Sequence, residues 1–209
     1  VEALAAWLVA IMVTTVPPGG WRSKVELRET AEQGRARYEQ IAKAIATVSL
    51  DPEEAPLFDG ADGRWRTAAL LLAISLHESH WRRDVDLGLG RYGPRGGRRY
   101  HCLMQIAIDR GKTAEGWTAA ELIRRRDKCM RAGLHILQRG RRYCDRVGPR
   151  AFLNHYASGY CDRGRKQVAK RWDTHRTFLQ KHPVPKAKPK RTSGPKSKPG
   201  AHRSGPRGD

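Results

Sequence analysis

Ala68-Ala69-Leu70-Leu71-Leu72-Ala73-Ile74-Ser75-Leu76-His77-Glu78-Ser79-His80-Trp81 is apolar for most of its length and ends on a single carboxylate. An unbroken apolar run without strand-like alternation predicts a helix buried in a folded core. The run is too short to cross a bilayer. Leu71, Ile74 and Glu78, spaced by three and four, share one helical face, so Glu78 extends the inward stripe. A Glu in that place loses hydration, which disfavours its charged form and raises its pKa toward the range of a general acid. The plainer reading is a helix-end Glu that reaches solvent, and for an isolated Glu after an apolar run it is the commoner case.

The residues downstream favour the acid. A Gly- and Arg-rich loop runs from Gly88 to Tyr100, followed by Cys102-Leu103-Met104-Gln105-Ile106 and, much later, by Tyr156-Ala157-Ser158-Gly159. In this order the segments resemble the lysozyme-like lytic transglycosylases and their relatives the goose-type lysozymes. In that superfamily a Glu-Ser pair ends a buried helix, a Gly-rich loop leads to a Gly-Leu-Met-Gln turn, and a Tyr-Asn-x-Gly segment closes the site. Glu78, Ser79, Met104, Gln105, Tyr156 and Gly159 fit that pattern, over about residues 65–180, and the triplet Glu78-Ser79-His80 is similar to the goose-type branch. Cys102 stands where the family usually has Gly, and Ala157 where it usually has Asn. Cys adopts positive φ less readily than Gly, so Cys102 signals an altered backbone beside the cleft, for which a disulfide would be a reason.

The resemblance implies a mainly α, lysozyme-like fold with Glu78 as the catalytic residue. It assigns Ser79, Met104, Gln105 and Tyr156 to substrate binding. Each has a plainer role beside that one. Ser79 is also a polar residue at a helix end, and Gln105 a side chain that satisfies loop backbone. Met104 is expected to pack under the cleft, and Tyr156 to sit in the core with its hydroxyl at the edge. His77 and His80 flank the acid but face away from it, and Gly159 reads as a helix C-cap.

Ordinary glycoside hydrolysis uses two carboxylates. No Asp or Glu occurs between Leu87 and Ala107, the stretch that would frame the cleft. Asp84 and Asp86 are the nearest candidates, and Asp-Val-Asp before Gly88 reads more readily as a loop anchor; Asp109 lies farther along. A single acid suits a lytic transglycosylase. Such an enzyme cleaves the β-1,4 bond between N-acetylmuramic acid and N-acetylglucosamine and leaves a 1,6-anhydro product, with no metal and no cofactor. The alternatives are a goose-type-like muramidase that uses water, and a non-catalytic envelope-binding or virion structural protein of the same fold.

The chain has 209 residues, 39% of them hydrophobic, and a formal net charge of +20. That length can bury a sizeable core. The charge implies a polyanionic partner, such as nucleic acid, anionic lipid or the acidic polymers of a bacterial envelope. Arg82, Arg83, Arg91, Arg95, Arg98 and Arg99 flank the expected cleft, where a ring of Arg would pull the Glu78 pKa down against desolvation.

Cys102, Cys129, Cys144 and Cys161 form no C-x-x-C pair and have no His at ligand spacing, which argues against zinc. An even number within one expected domain suggests disulfides and an oxidising, extracytoplasmic destination: periplasmic, secreted or virion-associated. Cys144 ends one expected helix and Cys161 follows the Tyr156–Tyr160 segment, which favours Cys144–Cys161 with Cys102–Cys129. Four cysteines allow three pairings, and four reduced thiols remain the alternative.

Three regions are expected. Residues 1–64 form a helical extension, with an apolar docking helix over Ala3–Val16 that has no convincing signal-peptide pattern. Thr30-x-x-Gln33 then opens a second helix, and a Pro- and Gly-containing loop spans Ser49–Arg64. Residues 65–181 form the lysozyme-like domain, with a capping box at Thr118-x-x-Glu121, helices near 127–140, 149–157 and 164–180, and room for a short hairpin in the Arg91–His101 loop. Residues 182–209 form a Lys/Arg/Pro/Gly-rich tail too poor in apolar residues to fold, suited to tethering on anionic envelope polymers. The tail lacks interleaved aromatics, no specific nucleic-acid motif is present, and no segment reads as transmembrane. Peptidoglycan glycan strands are the partner that the resemblance implies.

Overall fold

The computed structural model of the chain describes residues 1–19, 29–89, 100–108, 111–163 and 165–185. Arg91, Arg95, Arg98, Arg99, Asp109 and the tail from Lys186 onward lie outside the described residues. The fold is mainly α. In chain order its elements are α1 (Glu2–Thr15), α2 (Ala31–Leu50), α3 (Gly63–Ser79), α4 (Arg83–Asp86), β1 (Tyr100–His101), β2 (Ile106–Ala107), α5 (Ala119–Arg124), α6 (Arg126–Cys144), α7 (Ala151–Ser158) and α8 (Arg165–Lys181).

Both expected capping boxes are present. Thr30 Oγ1 accepts from the Gln33 amide while Gln33 Oε1 accepts from the Thr30 amide, each at 3.1 Å. Thr118 and Glu121 make the same reciprocal pair at the start of α5. Each satisfies two donors that a helix start leaves orphaned.

Helix α3 is the axis of the core, and Thr67 through Ser75 are buried without a break. At its start, Thr67 Oγ1 donates to the Gly63 carbonyl and accepts from the Leu57 amide, both at 2.8 Å, which ties the preceding loop to the first turn. A Cβ at Gly63 would stand 2.0 Å from the Phe58 carbonyl oxygen, so this close approach requires glycine. Leu4, Leu8, Ile11 and Met12 of α1 and Ile41, Ile45 and Val48 of α2 are buried in the same core. The N-terminal helices therefore share one apolar interior with α3. His182, placed in the tail by composition, closes back on α1: its carbonyl accepts from Trp7 Nε1 and its ring meets Thr14 Oγ1, both at 3.2 Å.

Helix α6 packs against α2, α5 and α7. Its meeting with α7 is close, since a Cβ at Gly140 would lie 2.9 Å from the Phe152 carbonyl oxygen. Both favoured disulfides are present. Cys102–Cys129 ties the β1 end to α6, and Cys144–Cys161 ties the α6 end to the chain beyond α7. The ladder pairs Tyr100 with Ala107 and His101 with Ile106, antiparallel. A hairpin thus turns at Cys102–Gln105, while residues 91–99 of the loop in which the sequence left room for one lie outside the described residues. Leu103 and Met104 at the tip are buried in the core, which holds the two flanking pairs in register.

Candidate active site

Glu78 occupies the last turn of α3, and the way that helix ends decides where its carboxyl lies. His80 caps the helix in the left-handed region, with its amide donating to the Leu76 carbonyl at 2.7 Å. Trp81 follows, also left-handed and fully buried. Its indole Nε1 donates to Ser75 Oγ at 2.8 Å, its amide donates to Ser79 Oγ at 3.2 Å, and its ring meets Tyr38 edge-on at 5.8 Å. Arg37 Nη1 donates to the Trp81 carbonyl. Two adjacent non-glycine residues at positive φ are costly, and this web of contacts holds them there.

Beyond the turn, Arg82 grips Asp84 through two nitrogens at 3.0 and 2.6 Å. Arg126 of α6 meets both oxygens of Asp86, at 2.5 to 3.1 Å. Both aspartates are buried. Asp86 ties α4 to α6 and Asp84 closes on the residue just before α4, the loop-anchoring reading that the sequence allowed.

Opposite Glu78 stands an arginine that sequence reasoning did not name. Arg171 of α8 donates through Nη2 to Glu78 Oε1, and the two side chains are only 9% and 18% exposed. Burial pushes the Glu78 carboxyl above its ordinary range; the Arg171 charge and hydrogen bond pull it back, and burial prevails. The expected direction is therefore present, but the opposing cation is Arg171. Arg82, one of the arginines expected around the acid, is committed to Asp84. A signal for Arg171 existed in the sequence. Val168, Arg171, His175 and Phe178 recur at spacings of three, four and three, which places an arginine and a histidine on the buried stripe of α8.

Tyr156 of α7 approaches from the side. Its hydroxyl donates to the Met104 carbonyl, joining α7 to the hairpin tip. Burial raises its phenol well above the usual range, and the Glu78 charge adds to the effect, with Arg171 opposing. Met104 is fully buried against Gly133 of α6, as a packing role requires. Gln105 is half-buried, and its amide Nε2 donates to the Cys102 carbonyl at 2.9 Å, so that nitrogen serves the turn. Ser79 is buried, with its hydroxyl donating to the Ser75 carbonyl at 2.7 Å and accepting from Trp81. That places it in the helix-end role. His77 points to α8, where its Nε2 meets Thr174 Oγ1 at 2.8 Å. Gly159 ends α7 at φ 76°, as a C-cap glycine does.

Cys102 sits at φ 58° and Gln105 at φ 49°, so a Cys takes the left-handed backbone here that glycine adopts more readily. Cys102 is tethered through sulfur to Cys129 of α6. The non-glycine residues at positive φ among the described residues are His80, Trp81, Cys102 and Gln105. Two lie just after Glu78 and two in the hairpin turn that Tyr156 joins to α7, and such strain concentrates where geometry serves function.

Glu78, Arg171, Tyr156 and the Met104–Gln105 turn are thus brought together from α3, α8, α7 and the hairpin. The arrangement offers one partly exposed carboxyl able to move a proton, with a cation beside it. No cluster of three or more His, Cys, Asp or Glu able to hold a metal occurs among the described residues. No protein-family profile, curated protein or solved structure matches the chain.

Proposed function

We propose that this protein is a peptidoglycan lytic transglycosylase, with Glu78 as a single acid and base. The observation that carries the reading is the partly buried Glu78 carboxyl, raised above its ordinary range at the end of an apolar helix. Around it stand the Met104–Gln105 turn and Tyr156, segments far apart in the chain that the resemblance draws into one site. In the reaction, Glu78 gives its proton to the bridging oxygen as the bond to C1 of N-acetylmuramic acid breaks. The carboxylate so formed takes the proton from the C6 hydroxyl as that oxygen closes on C1. The product is a 1,6-anhydro sugar, and Glu78 ends protonated as it began.

The state of the nearby aspartates favours this route over a hydrolase. Asp84 and Asp86 are each held by an arginine through both carboxylate oxygens. Carboxylate oxygens engaged by a guanidinium in that way are not free to face a water. The two disulfides suit an extracytoplasmic setting, where peptidoglycan lies.

Glu78→Gln removes the transferable proton and is expected to lower glycan cleavage by about 10²- to 10⁴-fold. It also leaves Arg171 without a counter-charge, so Glu78→Asp serves as a second variant. Asp keeps the charge but withdraws the carboxyl by one methylene, and the same collapse of activity is expected with the melting curve preserved. Mass spectrometry of muropeptides from the wild-type digest should find anhydro ends. Dominant reducing ends, one water heavier, would transfer the reading to a muramidase, and intact glycan to a non-catalytic role.

A further inference from the structure

Arg171 belongs to none of the motifs on which the transglycosylase reading rests, yet it makes the direct contact to the acid. Its placement is expensive. Nη2 meets Glu78, while Nε and Nη1 are buried and have no hydrogen-bond partner among the described residues. A guanidinium kept for stability usually grips a carboxylate through two parallel bonds and satisfies its other donors. Here a single prong reaches the carboxyl. Among the described residues, Glu78 also acts on Tyr156 of α7, and His77 and His80 stand beside it on its own turn. The hairpin tip contributes Leu103, Met104 and Gln105, none of which titrates.

We propose that Arg171 is the positioning residue of the Glu78 proton cycle: its charge lets one buried carboxyl release a proton to the glycosidic oxygen and then stand as an anion until it takes the C6 hydroxyl proton. The proposal rests on the transglycosylase reading. An inverting hydrolase divides these tasks between two carboxyls, whereas a single carboxyl must be both a sufficient acid and a tolerable buried anion. Burial alone favours the neutral acid and weakens it as a donor. A cation in contact offsets that without supplying or removing a proton, and the one-pronged geometry leaves the carboxyl able to face the substrate.

The test pairs two readouts in the wild type, Arg171→Gln and Arg171→Met: the titration midpoint of the Glu78 carboxyl by ¹³C NMR, and kcat/KM against pH on a soluble glycan fragment. Both variants are expected to fold, because Glu78 can become neutral when its partner is lost. Loss of the cation should raise the midpoint by about one unit or more. The alkaline limb of kcat/KM, which reports the acid, should rise by the same amount. At neutral pH kcat should fall by about 10-fold or more with KM little changed. Should both variants fail to fold, Arg171→Lys carries the test: it keeps the charge, so midpoint, alkaline limb and most of kcat should be retained, and a loss of activity with the midpoint unmoved overturns the proposal. Activity lost with neither moving, or a midpoint that moves while the limb stays, overturns the proposal and leaves Arg171 a structural brace. A wild-type digest without anhydro ends removes the transglycosylase reading, and the proposal with it, whatever the Arg171 variants do.

Discussion

The hydroxyl of Ser79 lies one residue beyond the acid and is engaged on both sides, by the Ser75 carbonyl and the Trp81 amide. Its influence on Glu78 therefore passes through the helix end. Ser79→Ala would leave the buried Trp81 amide without its acceptor, a loss of about 1–3 kcal/mol. The expected outcome is a lower melting temperature and a lower kcat with KM unchanged. A rise in KM alone in steady-state kinetics would instead place the hydroxyl on the substrate. Cys102 shows the same interplay of neighbour and backbone. Its left-handed φ is unfavourable for a Cys, and the tether to Cys129 holds the turn in the conformation that keeps Met104 buried and its carbonyl in reach of Tyr156.

At the scale of elements, α6 does more than pack. One face carries Arg131, His135 and Arg139 at successive four-residue spacings, and this row clasps two loops. Arg131 meets Asp51 and Glu54 at 2.7 and 2.6 Å, and His135 meets Glu54 and Glu115 through its two ring nitrogens, each at 3.0 Å. Burial pushes the Glu54 and Glu115 carboxyls up. Hydrogen bonds from His135 and Arg131 to Glu54, and from Thr113, His135 and Arg139 to Glu115, outweigh it and hold both below their ordinary range. A folded-state value below the unfolded one means that these carboxylates stabilise the fold above the ordinary carboxylate range. That contribution is lost as pH falls through it, from about pH 4.3 downward. Melting temperature against pH should therefore drop steeply on the acid side. The double change Glu54→Gln with Glu115→Gln should flatten that slope and lower stability near neutrality. An acid slope identical to wild type would show that the clasp contributes nothing.

At the scale of the whole molecule, the net charge of +20 falls on a protein with no helix among the described residues long and apolar enough to cross a membrane. His182 is bonded to α1, so the folded part extends at least that far into the region that composition assigned to the tail. Removal of residues 186–209 is expected to leave cleavage of short soluble glycans unchanged. It should weaken binding to intact sacculi and flatten the dependence of that binding on salt, because fewer counterions are released. A truncation that abolishes cleavage of the soluble fragment would make the segment part of the folded unit.

The buried α3 helix, both capping boxes, the loop between α2 and α3 and the favoured disulfide pairing were legible in the chain. Each rests on local signals, namely apolar periodicity, a cap residue three positions before its partner, or cysteines at the ends of neighbouring elements. The place of Glu78 at the end of the inward stripe was legible for the same reason. Its cation was not: Arg171 lies 93 residues away. Only the packing of α8 against α3 decides that the buried stripe of α8 meets the last turn of α3 with an arginine. The left-handed backbone at Trp81 and Cys102 is likewise tertiary in origin. Neither residue favours it alone, and the contacts that impose it come from α2, α3 and α6. A chain specifies its helices through neighbours a few residues apart, whereas the charge beside a buried carboxyl depends on which elements come to lie against it.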